Sequence, residues 1–168
     1  MALNVLPLDL ARWDEAARDC LVLPVFKDDR PLRGAAGLAD WRLCGRLSRL
    51  VKSTRATADA GETMLLPPGR RLRFGRVMWF GLGEAKGYTD ERFRKDLAWI
   101  LGVVTRANVS DWSLQLPGRA SGLIGARRAV EIILEDQLLA DQPITLIEDP
   151  AGQKDIAELL RSQRDGVH

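Results

Sequence analysis

The stretch Gly61-Glu-Thr-Met-Leu-Leu-Pro-Pro-Gly69, followed after a short Arg-rich gap by Arg76-Val-Met-Trp-Phe-Gly-Leu-Gly83, decides the fold class. Each half holds an apolar run of strand length. A Pro/Gly turn separates the two, and the second closes on a Gly-X-Gly bend. Thr89-Asp90-Glu91 then opens a helix: the threonine supplies an N-cap oxygen and the two carboxylates complement the helix dipole. A buried strand that ends in glycines and feeds a helix is how an open α/β sheet presents its ligand edge. Both runs are therefore expected as central strands.

Downstream, apolar periodicity carries the helix from Thr89 to about Ala107, with Phe93, Leu97, Ile100, Leu101 and Val104 facing the core. Trp99 and Val103 sit beside that stripe and widen it, which marks them as a candidate subunit interface. Trp112–Leu116 reads as a strand. Ser121 is expected to cap a helix reaching Leu139, with Leu123, Val130, Ile133, Leu134 and Leu138 inward. Ile144–Ile147 is the last strand, and Asp149-Pro150 starts a final helix that buries Ile156, Leu159 and Leu160 and frays after Arg161.

Upstream, Leu3–Leu8 makes a short strand and Asp9 caps a helix through Ala17. Leu21–Phe26 is a continuous apolar run suited to a strand buried on both faces. Lys27–Gly37 is a loop. One helix is expected over Leu38–Ser53, with Leu43, Cys44, Leu47, Leu50 and Val51 inward and Arg42, Arg46 and Arg49 outward. A polar connection, Thr54–Ala60, leads into the central strands. Alternation of strands and helices predicts one domain over residues 1–168: a three-layer α/β/α sandwich around a mostly parallel or mixed sheet.

A chain of 168 residues buries an adequate core without disulfide or metal staples. Its net charge of +2 calls for no polyanionic partner. Cys20 and Cys44 both lie in apolar contexts and are expected as reduced, buried thiols. The one histidine, His168, is terminal and expected to be unstructured, which removes Ser–His catalysis and His-based zinc sites. No apolar run reaches the ~18 residues of a membrane span. The amino terminus lacks the order of a signal peptide, so a cytoplasmic protein without membrane, metal or cofactor is expected.

Gly81, Leu82 and Gly83, with Gly87 further on, form the only phosphate-like feature and the candidate ligand-binding residues. Against that role, the turn lacks the third glycine of a dinucleotide fingerprint and the Lys and hydroxyl of a Walker loop. Glu84 would also repel a phosphate. A tight strand-to-helix turn is the simpler reading. Asp28-Asp29 stands beside Arg30 and Arg33, which disfavours a cation there. Arg42, Arg46 and Arg49, with Arg70, Arg71 and Arg73, offer a basic surface. The near-neutral total disfavours nucleic acid and favours a solvated face.

The opening stretch resembles the N-terminal domain of the leucine aminopeptidase family of dinuclear metallopeptidases. There, too, a Gly-rich turn leads to a Leu-Leu-Pro strand, then to an Arg-Val strand closing on Gly-Leu-Gly. Thr89, Phe93, Arg94 and the apolar run to Val104 continue the similarity, which spans about residues 20–140. The resemblance implies a fold similar to ADP-ribose-binding macrodomains and a part in oligomer assembly. It places the peptidase chemistry in a separate C-terminal domain: a catalytic lysine, an Asp/Glu metal cluster and an Asn-Thr-Asp-Ala-Glu-Gly-Arg motif. None of these occurs in the chain, which ends at His168, so no catalytic or metal-binding residue carries over. The expectation is a stand-alone, non-catalytic relative acting as a homo-oligomer or on a protein partner. A macrodomain-like module taking a nucleotide or ADP-ribose at Gly81–Gly87 is the alternative.

Overall fold

The computed structural model describes residues 3–16 and 18–167. Ala17, the expected end of the first helix, and His168 lie outside the described residues. The elements run β1 (Asn4–Pro7), α1 (Leu10–Glu15), β2 (Cys20–Val25), α2 (Gly34–Arg42), α3 (Arg46–Lys52), β3 (Thr63–Leu66) and β4 (Arg76–Gly81). They continue with α4 (Asp90–Arg106), β5 (Trp112–Leu114), α5 (Ala126–Asp136), β6 (Ile144–Glu148) and α6 (Pro150–Asp165). One six-stranded sheet has the order β1-β6-β5-β2-β4-β3, and only β3 is antiparallel to its neighbour. The expected α/β/α sandwich with a mostly parallel sheet is the fold observed.

Period-two alternation sends successive strand residues into two separate cores. Val22, Phe80, Trp112 and Leu146 pack with Phe93, Leu97, Val130 and Ile156 from α4, α5 and α6. Leu21, Leu23, Val77 and Trp79 pack with Trp13, Ala39 and Leu47 from α1, α2 and α3. Thr89 caps α4 by accepting from the Arg92 amide at 3.2 Å, and Asp149 caps α6 through the Gly152 amide at 2.7 Å. At the amino ends of the strands, Asp19 accepts from Arg76 Nη2 at 2.8 Å and from the Ser110 amide at 2.9 Å. The Arg76 hydrogen bond leads the effects that hold this carboxyl below the usual carboxylate range.

Several expectations are corrected. The Gly61–Gly83 stretch is not central: β3 is the sheet's outer strand and β4 lies one place in from it. The helix expected over Leu38–Ser53 is two helices, and α2 starts inside the expected loop. Cys44 and Gly45 sit at φ 56° and 79°, a left-handed pair that ends α2. Asp40 then reaches across the break and accepts from the Ser48 amide at 3.0 Å, capping α3. This reversal turns Cys44 outward, so it is exposed rather than buried. The helix expected from Ser121 begins at Ala126, because Pro117 and left-handed Gly118 and Gly122 hold a loop there; Leu123 is consequently exposed. The last helix does not end at Arg161 but continues to Asp165. Among the described residues, no helix is long and apolar enough to cross a membrane.

Candidate functional site

In an open α/β sheet the ligand crevice lies outside the carboxyl ends of the strands, where the strand order reverses direction. Here the chain leaves β2 toward β4 and β3, but leaves β5 toward β6 on the other side. The switch point therefore falls between β2 and β5. It is lined by Pro24, Phe26, Asp29, Gln115, Gly118 and Ser121 among others.

This crevice is filled by its own side chains. Asp29 Oδ2 accepts from the Phe26 amide at 3.1 Å, and Asp29 Oδ1 takes the Ser121 hydroxyl at 2.7 Å. Gln115 Oε1 accepts from the Ala35 amide at 2.8 Å, occupying a donor at the amino end of α2. The space left is about 10 Å³, at or below what one water molecule requires. Behind it, Arg119 pins the loop after β5. Its Nε and Nη2 donate to Glu148 at 2.9 and 2.7 Å, and its Nη1 donates to the Ile124 carbonyl at 2.8 Å.

The turn at Gly81–Gly87 is one strand away, at the carboxyl end of β4. Its first three amides are already committed: Gly81 to the Glu62 carbonyl at 2.7 Å, Leu82 to Val25 at 2.9 Å and Gly83 to Ala58 at 2.9 Å. Glycine is required at 81 because a Cβ there would run into the Asp59 carbonyl. Arg92 braces the turn, donating to the carbonyls of Leu82, Glu84 and Lys86 at 3.1, 2.9 and 3.3 Å. The loop beneath is held by Glu62, whose carboxylate accepts from the Thr57 and Ala58 amides and from Trp79 Nε1 at 2.8 Å. Burial pushes the Glu62 carboxyl upward, but these donors outweigh it and hold it below the usual range.

Two sequence candidates do meet. Gly81 and Leu82 line the same half-open groove as Trp99, together with Arg92, Lys95 and Asp96; it encloses about 440 Å³. Trp99 stands edge-on to Phe80 at 5.2 Å between ring centroids. Burial pushes the Asp96 carboxyl upward, opposed by a 3.2 Å hydrogen bond from the Tyr88 hydroxyl. Gly83, Gly87 and Val103 are not among the groove's lining residues. A hollow of about 480 Å³ at the opposite end of the sheet, along Leu3, Ile133, Leu139 and Ile144, is remote from these turns.

The basic surface is largely self-engaged. Arg42 pairs with Asp14 at 2.9 Å, Arg46 donates to the Pro67 carbonyl at 3.1 Å, and Arg49 to the Cys44 carbonyl at 2.6 Å. Arg71 Nη1 donates to Cys44 Sγ at 2.9 Å. Asp28 is likewise occupied, accepting from the Ala85 amide at 2.5 Å. Among the described residues no cluster of three His, Cys, Asp or Glu is arranged to hold a metal ion. Sequence reasoning missed Gln115 and the Arg119–Glu148 pair, and weighed Asp29 only as a cation ligand rather than as the partner of Ser121. Pro117-Gly118 was the available signal that the loop after β5 folds back over the switch point.

The fold of this α/β domain is similar to that of macrodomains. A Trypanosoma brucei macrodomain solved in complex with ADP superposes with TM-score 0.65 at 13% identity, covering 94% of this chain and 77% of that one. The chain belongs to the cytosol aminopeptidase family, matching its N-terminal domain over residues 22–139. A probable cytosol aminopeptidase of Halorhodospira halophila is 29% identical over 98 residues, covering 58% of this chain and 19% of that protein. One from Sulfurihydrogenibium sp. is 24% identical over 104 residues, covering 62% and 21%. The chain thus spans about a fifth of the length of these relatives, and the family match is to the N-terminal domain alone.

Proposed function

We propose that this chain is a non-catalytic interaction module, one domain over residues 1–168 that acts in the cytoplasm by self-association or by docking on a protein partner. The observation that carries this reading is the filled switch-point crevice, closed to about 10 Å³ by Gln115 and the Asp29–Ser121 pair. Large apolar side chains meanwhile stand at the surface: Trp41 is 73% exposed and Leu65 60%. Placement in the N-terminal part of the family supports the reading, since the chemistry of an aminopeptidase would then lie outside these residues.

A second reading is a small-ligand module, with the groove at Gly81, Leu82 and Trp99 as its site and Gly83 and Gly87 shaping the adjoining turn. The cationic side chains of Arg92 and Lys95 along the groove favour a nucleotide-like anion. Sedimentation velocity combined with thermal melts in millimolar ADP-ribose, ADP and NAD separates the two. A ligand at a hundred times its Kd stabilises the fold by about 2.7 kcal/mol. The interaction reading expects unmoved melting temperatures, and its self-association form expects a species heavier than the 18.7 kDa monomer. A monomer whose melting temperature rises with one of these ligands overturns it.

A further inference from the structure

Among the described residues, no strand pairs with the outer edge of β3. The Gly81 amide donates to the Glu62 carbonyl, and alternation along an antiparallel pair then turns the N–H and C=O of Thr63 and Leu65 away from β4. Pro67 ends the run, and a left-handed Gly61 at φ 89° begins it. Both flanking features shorten the edge, as natural sheets do to discourage indiscriminate pairing. What remains is short but neither charged nor covered. Leu65 is 60% exposed beside Met78, and Trp99 and Val103 are only partly buried on the same face of the sheet.

The ends of this edge carry opposite charge. Asp59, Glu62 and Glu84, with Lys27 among them, lie toward the amino end of β3. Exposed Arg70, Arg71 and Arg73 follow its carboxyl end. A parallel neighbour copy would bring like charges together, whereas an antiparallel copy brings acid to base at both ends.

The geometry points to a second copy of this chain as the occupant: β3 pairs with β3 of the other copy about a two-fold axis through Met64. Thr63 faces Leu65 of the other copy and Leu65 faces its Thr63, so that the outward N–H and C=O groups of both are satisfied. Leu65 is then covered, and Trp99 and Val103 border the seam. This proposal rests on the interaction reading and names its partner.

Sedimentation velocity over a wide concentration range tests it directly. Wild type is expected to pass from monomer to dimer, and Leu65→Lys to remain a monomer with an unchanged melting temperature. In a Cys44→Ser background, Met64→Cys should form a disulfide-linked dimer on mild oxidation, because Met64 meets its own counterpart on the axis. Thr63→Cys, which faces Leu65, should not. A wild-type monomer at every concentration overturns the proposal, as does crosslinking of Thr63→Cys as readily as Met64→Cys. A dimer that survives Leu65→Lys also removes this interface but leaves the interaction reading standing, whereas stabilisation of a monomer by ADP-ribose would remove both.

Discussion

Glu148→Gln preserves a side chain's size while deleting the buried charge that faces Arg119, leaving only the half-exposed Asp149 carboxylate at 3.8 Å. Glu148 is 2% exposed, and the Arg119 side chain is 11% exposed, so the guanidinium left behind stays out of water. Both carboxylate oxygens take hydrogen bonds from Arg119, and Glu148 Oε1 also accepts from the Asp149 amide at 3.1 Å. Removing one member of a buried ion pair costs about 3–5 kcal/mol. For a chain of this size each kcal/mol moves the melting temperature by about 2–4 °C, so a fall of about 6–20 °C is expected. Urea unfolding followed by tryptophan fluorescence suits the measurement, because Trp13, Trp79 and Trp112 are fully buried. Combining Arg119→Met with Glu148→Leu removes both charges, and the pair should be less damaging than the two single changes summed. A loss under about 1 kcal/mol for Glu148→Gln, the scale of an exposed pair, refutes the reasoning.

Acid stability follows from Asp19 and Glu62, whose carboxyls are both held below their ordinary values. A carboxyl lowered in the folded state contributes fully above its unfolded pKa of about 4 and loses that contribution as pH falls through the lowered value. The melting temperature should therefore be level above pH about 5 and drop below about 4, with Glu62→Gln less stable at neutral pH and shallower in its acid fall. An acid fall as steep in Glu62→Gln as in wild type excludes the assignment. Thiol labelling should distinguish the cysteines: burial pushes Cys20 up to about 12, whereas Cys44 is exposed. One rapidly reacting thiol is expected in the native state and two in denaturant; two in the native state contradict the packing.

Elements with strong periodicity or an N-cap were legible in the sequence: Thr89 opened α4, Asp149-Pro150 opened α6, and Leu21–Phe26 marked β2. What was not legible depended on partners distant in the chain. The break after α2 depends on Asp40 capping the Ser48 amide across Gly45. Ser121 looked like a helix cap because its Asp29 partner lies 92 positions away. The apolar Gly61–Gly69 run gave no sign that β3 is an edge, since Met64 and Leu66 meet one core while Leu65 does not. Nor can glycines announce whether their amides are free: those of Gly81 and Gly83 are consumed by Glu62 and Ala58. Gln115, Arg119 and Glu148 belong to no local pattern: Gln115 meets the Ala35 amide 80 positions away, and Arg119 meets Glu148 only because β5 and β6 lie side by side.

The register Asn4 to Thr145 has a consequence for biosynthesis. Of the six strands, β1 is synthesised first and is the last to find a neighbour, because β6 alone receives it. While β5 and β6 are still being translated, β2, β4 and β3 can assemble as a local platform, and Leu6 and Trp13 must wait beside it with their apolar surface open to chaperones.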